Sequence, residues 1–161
     1  MRGLSFFDSG EFYTVDVTLV QKVVQNITYT HIPAAPGVVV GIANLKGGIV
    51  TLLSLSILLG CDSNNSAVNA IVFKPLTDGN DQMGLLIDKP GELIDINENE
   101  ILPPPVSANE KDNFYISGVI EYSGKICRII NVESIIDRFI QNEKISSTLN
   151  KEGTLHDEKH I

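Results

Sequence analysis

GIANLKGGIVTLLSLSILL, Gly41–Leu59, returns 77 residues later as GVIEYSGKICRIINVESII, Gly118–Ile136. In this register Gly41 meets Gly118, Gly47 meets Gly124 and Ile49 meets Ile126. The pairs Ile42/Val119, Leu45/Tyr122, Leu52/Ile129, Leu53/Ile130, Leu55/Val132, Leu58/Ile135 and Leu59/Ile136 keep apolar character. Each copy reads as a strand, a tight glycine turn, a second strand and a short helix. The turns are Lys46-Gly47 and Ser123-Gly124, where glycine supplies the positive φ that a two-residue hairpin requires. In the second copy Asn131 is placed to cap a helix running to about Ile140, with Glu133 favourable in its first turn.

Outward from the repeat, the preceding segments are also alike. Leu4–Phe7 and Glu11–Val15 flank the turn Asp8-Ser9-Gly10, and Ala70–Phe73 and Gly84–Ile87 flank a longer turn around Asp78-Gly79-Asn80. After the first hairpin, Asp16 as cap and Val17, Val20, Val23 and Val24 at helical spacing predict a helix. The proline-bearing linkers Ile32-Pro33 and Leu102–Pro105 lead into the glycine hairpins. Each half is thus four or five short strands plus a helical turn or two, the pattern of a small barrel. The expectation is a mainly β domain over 1–140, made of two interleaved lobes at approximately 12–65 and 70–140. The N-terminal strand would complete the arrangement. Residues 141–161 are polar and charged with no apolar period, the composition of a disordered tail.

Composition narrows the function classes. The 161 residues carry a formal charge of −8, with 12 Lys and Arg scattered along the chain. Nucleic-acid binding needs clustered cations and is excluded. Cys61 and Cys127 are too few for a disulfide framework and suit reduced thiols in a cytoplasmic protein. Asp8 falls where a secretory signal would need an apolar run. Val38–Gly60 is apolar enough to suggest a membrane span, but Lys46 sits inside it beside Gly47 and Gly48. A central Lys costs about 3 kcal/mol on insertion, and the second copy carries Glu121, Lys125 and Arg128. No membrane insertion is expected.

Motifs with catalytic spacing resolve into simpler readings. His156 and His160 stand four apart, but Asp157 replaces the general-base Glu of a zinc helix and no third ligand comes after them. Asp78–Gln82 lacks the glycine and closing Glu of a calcium loop. Lys46-Gly47-Gly48 is not in the order of a phosphate loop. Cys61 or Cys127 near His31 would need a third group to orient the base, and Cys127 matches Val50 of the other copy as a small core residue. Glu92, Asp95, Glu98 and Glu100 read as a solvated turn rather than a paired acid and base. No enzyme signature, cofactor motif or metal site is expected.

The residues also resemble a family. Tyr13–Val23 is similar to the early strand-and-helix segment of the CheW-like chemotaxis coupling proteins. Ile32-Pro33-Ala34-Ala35-Pro36, followed by Gly41–Gly47, resembles their proline linker and "G-x-x-NLRG" stretch. Gly84–Asp88 resembles their "G-hydrophobic-hydrophobic-V-D" strand, and Ile101–Pro105 their "I-x-P-x-P" linker. Ile116-Ser117-Gly118 opens the last hairpin, so the likeness covers about residues 4–140 in order. It implies two SH3-like five-stranded barrels, related by duplication, in a non-enzymatic adaptor. The implied partners are the regulatory domain of a CheA-type histidine kinase and the cytoplasmic hairpin tip of a chemoreceptor, held in a groove between the lobes.

By match to the family's motifs, Val20 and Gln21 on the first helix and Lys46 at the turn would face that groove. Gly47 and Ile49 would lie at the adjoining hairpin, with Gly84 in the wall of the second lobe. Val20 reads equally as a core valine, Lys46 as a solvated turn residue, and the glycines as backbone requirements. Lys46 stands where the family has Arg, losing a planar two-pronged donor. Thr51, Ser54 and Ser56 replace the Pro, Asp and Arg of "I-x-P-x-x-D-L-R", and Lys89-Pro90-Gly91 interrupts what is usually a short helical segment. These departures leave the fold intact and open a second reading: a divergent module scaffolding a non-chemotactic two-component phosphorelay.

Overall fold

The computed structural model describes residues 1–32, 39–60, 67–75, 82–104 and 114–139. Eleven strands lie in these segments: β1 Arg2–Asp8, β2 Glu11–Asp16, β3 Val20–Val24, β4 Thr30–His31, β5 Val39–Leu45, β6 Gly48–Ser54, β7 Asn69–Phe73, β8 Gln82–Ile87, β9 Lys89–Asp95, β10 Ile116–Tyr122 and β11 Lys125–Ile130. One sheet has the order β10-β11-β2-β1-β9, the other β3-β7-β8-β6-β5-β4. Two α-helices come after the glycine hairpins, α1 Leu55–Leu58 and α2 over residues 132–139. The duplicated, mainly β architecture read from the sequence is the one the structure has.

The repeat is kept at the level of hydrogen-bond register. In β5/β6, Val39 opposes Leu53 and Gly41 opposes Leu52, with a bulge between. In β10/β11, Ile116 opposes Ile130 and Gly118 opposes Ile129, with the same bulge 77 residues on. The helix caps repeat as well. Ser54 Oγ accepts from Ile57 N at 3.3 Å in α1, and Asn131 Oδ1 accepts from Ser134 N at 3.2 Å in α2. Both satisfy amides that the first turn of a helix leaves unpaired.

Two expectations are corrected. The sheets do not match the division at 12–65 and 70–140: the β7/β8 hairpin lies with β3–β6, and the β1/β2 hairpin lies with β9–β11. Each half lends its first hairpin to the other through a parallel pairing, Leu52↔Gly84 in one sheet and Ile129↔Thr14 in the other. Chain order alone groups a hairpin with the strands next in sequence, and these parallel pairings override that grouping. Nor is Val17–Val24 a helix. Asp16 Oδ1 accepts from Thr18 N at 3.0 Å and Thr18 Oγ1 at 2.8 Å, closing a single 3₁₀ turn over Val17–Leu19. The chain then enters β3, where a bulge between Val20 and Lys22 shifts the register. That extra residue sets Val20 and Val23 on one side of the strand, which imitates helical spacing in the sequence.

Three apolar clusters hold the domain. Val40, Ala43, Val50, Leu52, Ala70, Val72 and Leu86 fill one barrel. Ile94, Ile96, Ile120, Cys127 and Ile129 fill the other. The largest cluster lies between them and draws on both sheets: Phe6, Tyr13 and Val15 meet Leu53, Ile71, Phe73, Met83 and Leu85, sealed by Leu55, Leu58, Val132, Ile135 and Phe139 from the helices. Strands β7 and β8 therefore bury both faces, which is why they read as unbroken apolar runs rather than alternating ones. The turn at Asp78-Gly79-Asn80, Cys61, the Pro33–Pro36 linker, Pro105, Ile140 and the tail with its two histidines lie outside the described residues.

Candidate functional site

The β5/β6 turn is held by Gly47 at φ +105° and presents the exposed Lys46. Side chains alternate along β6, so Ile49, Thr51 and Leu53 share one face. Leu53 is sealed in the cluster between the lobes, whereas Ile49 is 57% exposed. The face that closes the inter-lobe core thus runs out to solvent at Ile49, leaving an apolar side chain on an open wall beside a lysine.

Val20 and Gln21 approach the same end of the sheet from its edge. Val20 opposes Phe73 and packs half-buried against the inter-lobe core. Gln82 Nε2 donates to Gln21 Oε1 and to the Phe73 carbonyl, at 3.3 Å to the latter, tying β3 to β7 and β8. Gln82 in turn opposes Val50 of β6. Strands β3 and β6 are three steps apart in the sheet, roughly 14 Å at the usual strand spacing. The structure therefore brings Val20, Gln21, Lys46, Gly47 and Ile49 to one end of one sheet.

Gly84 does not belong with them. It is buried between β6 and β7, and a Cβ there would stand 2.8 Å from Leu52 Cδ2 and 3.2 Å from Val50 Cγ1. Its position is one of close packing inside the barrel. Two residues were missed by sequence reasoning. Gln82 precedes the glycine that marked the strand and gives no pattern of its own. Ile126, 64% exposed, was signalled by its match to Ile49 in the repeat.

A polar junction ties the lobes together on β1. Ser56 Oγ of α1 donates to Asp8 Oδ2 at 3.0 Å, Ser9 N donates to Asp88 Oδ2 at 2.8 Å, and the Ser9 and Ser56 hydroxyls meet at 2.9 Å. Burial pushes the Asp8 carboxyl up to about 6, with the Ser56 hydroxyl opposing and the Asp88 charge reinforcing the shift. Cys127 is fully buried opposite Ile120, and burial pushes its thiol up to about 12. It is protonated at neutral pH and packs as a small apolar side chain, not a nucleophile. Among the described residues no three His, Cys, Asp or Glu converge as metal ligands, and no helix is long and apolar enough to cross a membrane.

Comparison with known proteins places this geometry. The family model described as the CheW-like domain matches residues 2–139. The chemotaxis protein CheW of Helicobacter pylori is 28% identical over 141 residues, covering 86% of this chain and 82% of that protein. The chemotaxis protein CheW of Thermotoga maritima is 23% identical over 142 residues, covering 88% and 91%. Among solved structures, the scaffolding protein TtCheW from Thermoanaerobacter tengcongensis superposes with a TM-score of 0.69 at 29% identity, over 81% of this chain and 88% of that one. With the duplicated hairpins, the exchanged strands and a family model spanning nearly all described residues, the chain belongs to the CheW-like domain family.

Proposed function

We propose that the chain is a non-enzymatic, cytoplasmic adaptor that couples chemoreceptors to a CheA-type histidine kinase at receptor arrays. The observation that carries this reading is the open wall at one end of the second sheet. Ile49 stands exposed on the face that closes the inter-lobe core, with Lys46 beside it and Val20 and Gln21 across the sheet. Recognition of a helical hairpin asks for apolar anchors on a rigid wall with a few polar contacts around them, and that is what these residues offer. The protonated, buried thiol of Cys127 supports a binding role over a catalytic one. The relatives named for chemotaxis, and one named as a scaffolding protein, support the choice of partners.

Calorimetric titration tests the proposal: the full chain against the regulatory domain of a CheA-type kinase from the same organism, then against a receptor hairpin-tip fragment. Binding to both is expected, with Lys46→Glu weakening the receptor complex while the circular dichroism spectrum stays unchanged. Binding to neither by folded protein overturns the coupling role. The replacement of the family Arg by Lys46 then favours a module of a non-chemotactic phosphorelay.

A further inference from the structure

The two sheets descend from one repeat, so positions that differ between them expose what packing alone does not require. Matching Ile129↔Thr14 to Leu52↔Gly84 sets Phe12 of β2 on Gln82 of β8. Matching Ser5↔Thr14 to Val72↔Gly84 sets Phe7 of β1 on Lys74. The bulge of β3 at Val20 and Gln21 corresponds to a bulge of β9 at Pro90 and Gly91, since Val20 opposes Phe73 as Pro90 opposes Phe6. In the sheet that holds the candidate partner wall, the hydrogen-bonded side chains of Gln21 and Gln82 span the mouth of the barrel. In the other sheet the equivalents are Gly91 and Phe12, and the mouth is an open cleft of about 330 Å³.

The cleft is built. Ser5 Oγ donates to the Glu92 carbonyl at 2.8 Å and accepts from Glu92 N at 2.9 Å, which fixes the β9 bulge. Gly91 is required there, because a Cβ would lie 2.4 Å from Ser5 Oγ and 2.9 Å from the Ser5 carbonyl. Opposite the bulge stands an aromatic wall: Phe7 and Phe12 stack with centroids 4.9 Å apart, and Phe12 meets Tyr122 at 6.2 Å. Lys125 Nζ sits 5.7 Å from the centre of the Phe7 ring, and Lys89 and Glu92 also line the cleft. None of these three charged side chains is in an ion pair among the described residues.

We propose that this barrel mouth binds a small planar monocarboxylate, an aromatic acid of single-ring size. The stacked rings offer a flat apolar face, and barrel mouths with a few placed polar groups are common ligand sites. Two ammonium groups against one carboxylate leave a single positive charge in the cleft of a chain whose overall formal charge is −8. That balance favours an anionic ring over a neutral one. A cavity of about 150 Å³ suffices for benzene, so the cleft has room for one ring with its carboxylate.

Amide-resolved NMR titration of the full chain with benzoate, and with benzamide as the neutral isostere, tests the site. Benzoate is expected to produce saturable shifts confined to amides around Phe7, Phe12, Gly91, Tyr122 and Lys125. Benzamide should bind at least about tenfold more weakly, and the exposed double variant Lys89→Gln/Lys125→Gln, with an otherwise unchanged spectrum, should lose benzoate by a similar factor. Phe12→Leu, which keeps an apolar side chain at the wall, should weaken both probes together. No saturable shift at these amides up to about 10 mM benzoate overturns the proposal. Equal affinity for benzamide, or benzoate binding untouched by the double lysine variant, overturns it as well.

Discussion

Ile49 and Ile126 occupy the same place in two copies of one hairpin, and both are more than half exposed. Their strand-mates four residues on, Leu53 and Ile130, are sealed in the core between the lobes. A buried isoleucine needs no further reason, but an exposed one held at the same register in both repeats costs solvation without adding packing. Ile49→Asp should therefore leave unfolding free energy within about 0.5 kcal/mol of the parent, as surface changes do. It should weaken the receptor-tip complex by about tenfold or more, measured by calorimetry. Unaltered affinity in the folded variant would remove Ile49 from the binding wall.

The Asp8 junction predicts a pH dependence of stability. Its carboxyl titrates near 6 in the folded chain, above its ordinary value of 3.8, because burial disfavours the charged form. Between those two values the folded state holds more protons than the unfolded one, so stability from this group is full below the ordinary value and drains away as pH rises through 6. The loss between pH 5 and 7 is about 1 kcal/mol. Urea unfolding at the two pH values should show it, and Asp8→Asn should flatten the difference. A parent protein no less stable at pH 7 than at pH 5 would contradict the burial account.

Gly84 separates packing from contact. A methyl group at this position meets Leu52 and Val50 inside a filled barrel, so Gly84→Ala should destabilise by about 1–3 kcal/mol. Partner affinity, measured on the fraction that remains folded, should match the parent. A stable Gly84→Ala protein that no longer binds would restore the glycine to the binding surface.

Where sequence patterns carried local information, the fold was legible. The two glycine turns, the Asn131 cap and the core position of Cys127 each rest on a few adjacent residues, and each is where the pattern put it. Segment β3 was not legible, because its bulge rearranges faces in a way that spacing alone assigns to a helix. The exchange of hairpins was hidden for another reason. The Leu52↔Gly84 and Ile129↔Thr14 pairings are long-range, and no local periodicity records which hairpin a strand will join. The candidate site shows the same split. Lys46, Gly47 and Ile49 come from a turn and its flanking strand, whereas the burial of Gly84 was not legible because a glycine within a strand announces close approach without saying from which side.

That exchange makes the halves interdependent. In a fragment of residues 1–66, β1 and β2 lose β9 and β11, and β3 and β6 lose β7 and β8. The inter-lobe core would be split too, with Leu53, Leu55 and Phe6 parted from Met83, Leu85 and Ile135. Neither 1–66 nor 67–161 should therefore fold alone, since an isolated hairpin without its packing face is marginal in water. The two fragments mixed in equal amounts should recover native-like far-ultraviolet circular dichroism, and the intact chain should unfold in one transition by dichroism and by tyrosine fluorescence alike. A cooperative transition from fragment 1–66 by itself would mean that the first lobe closes without the borrowed hairpin. The exchange would then be a consequence of docking rather than a condition of folding.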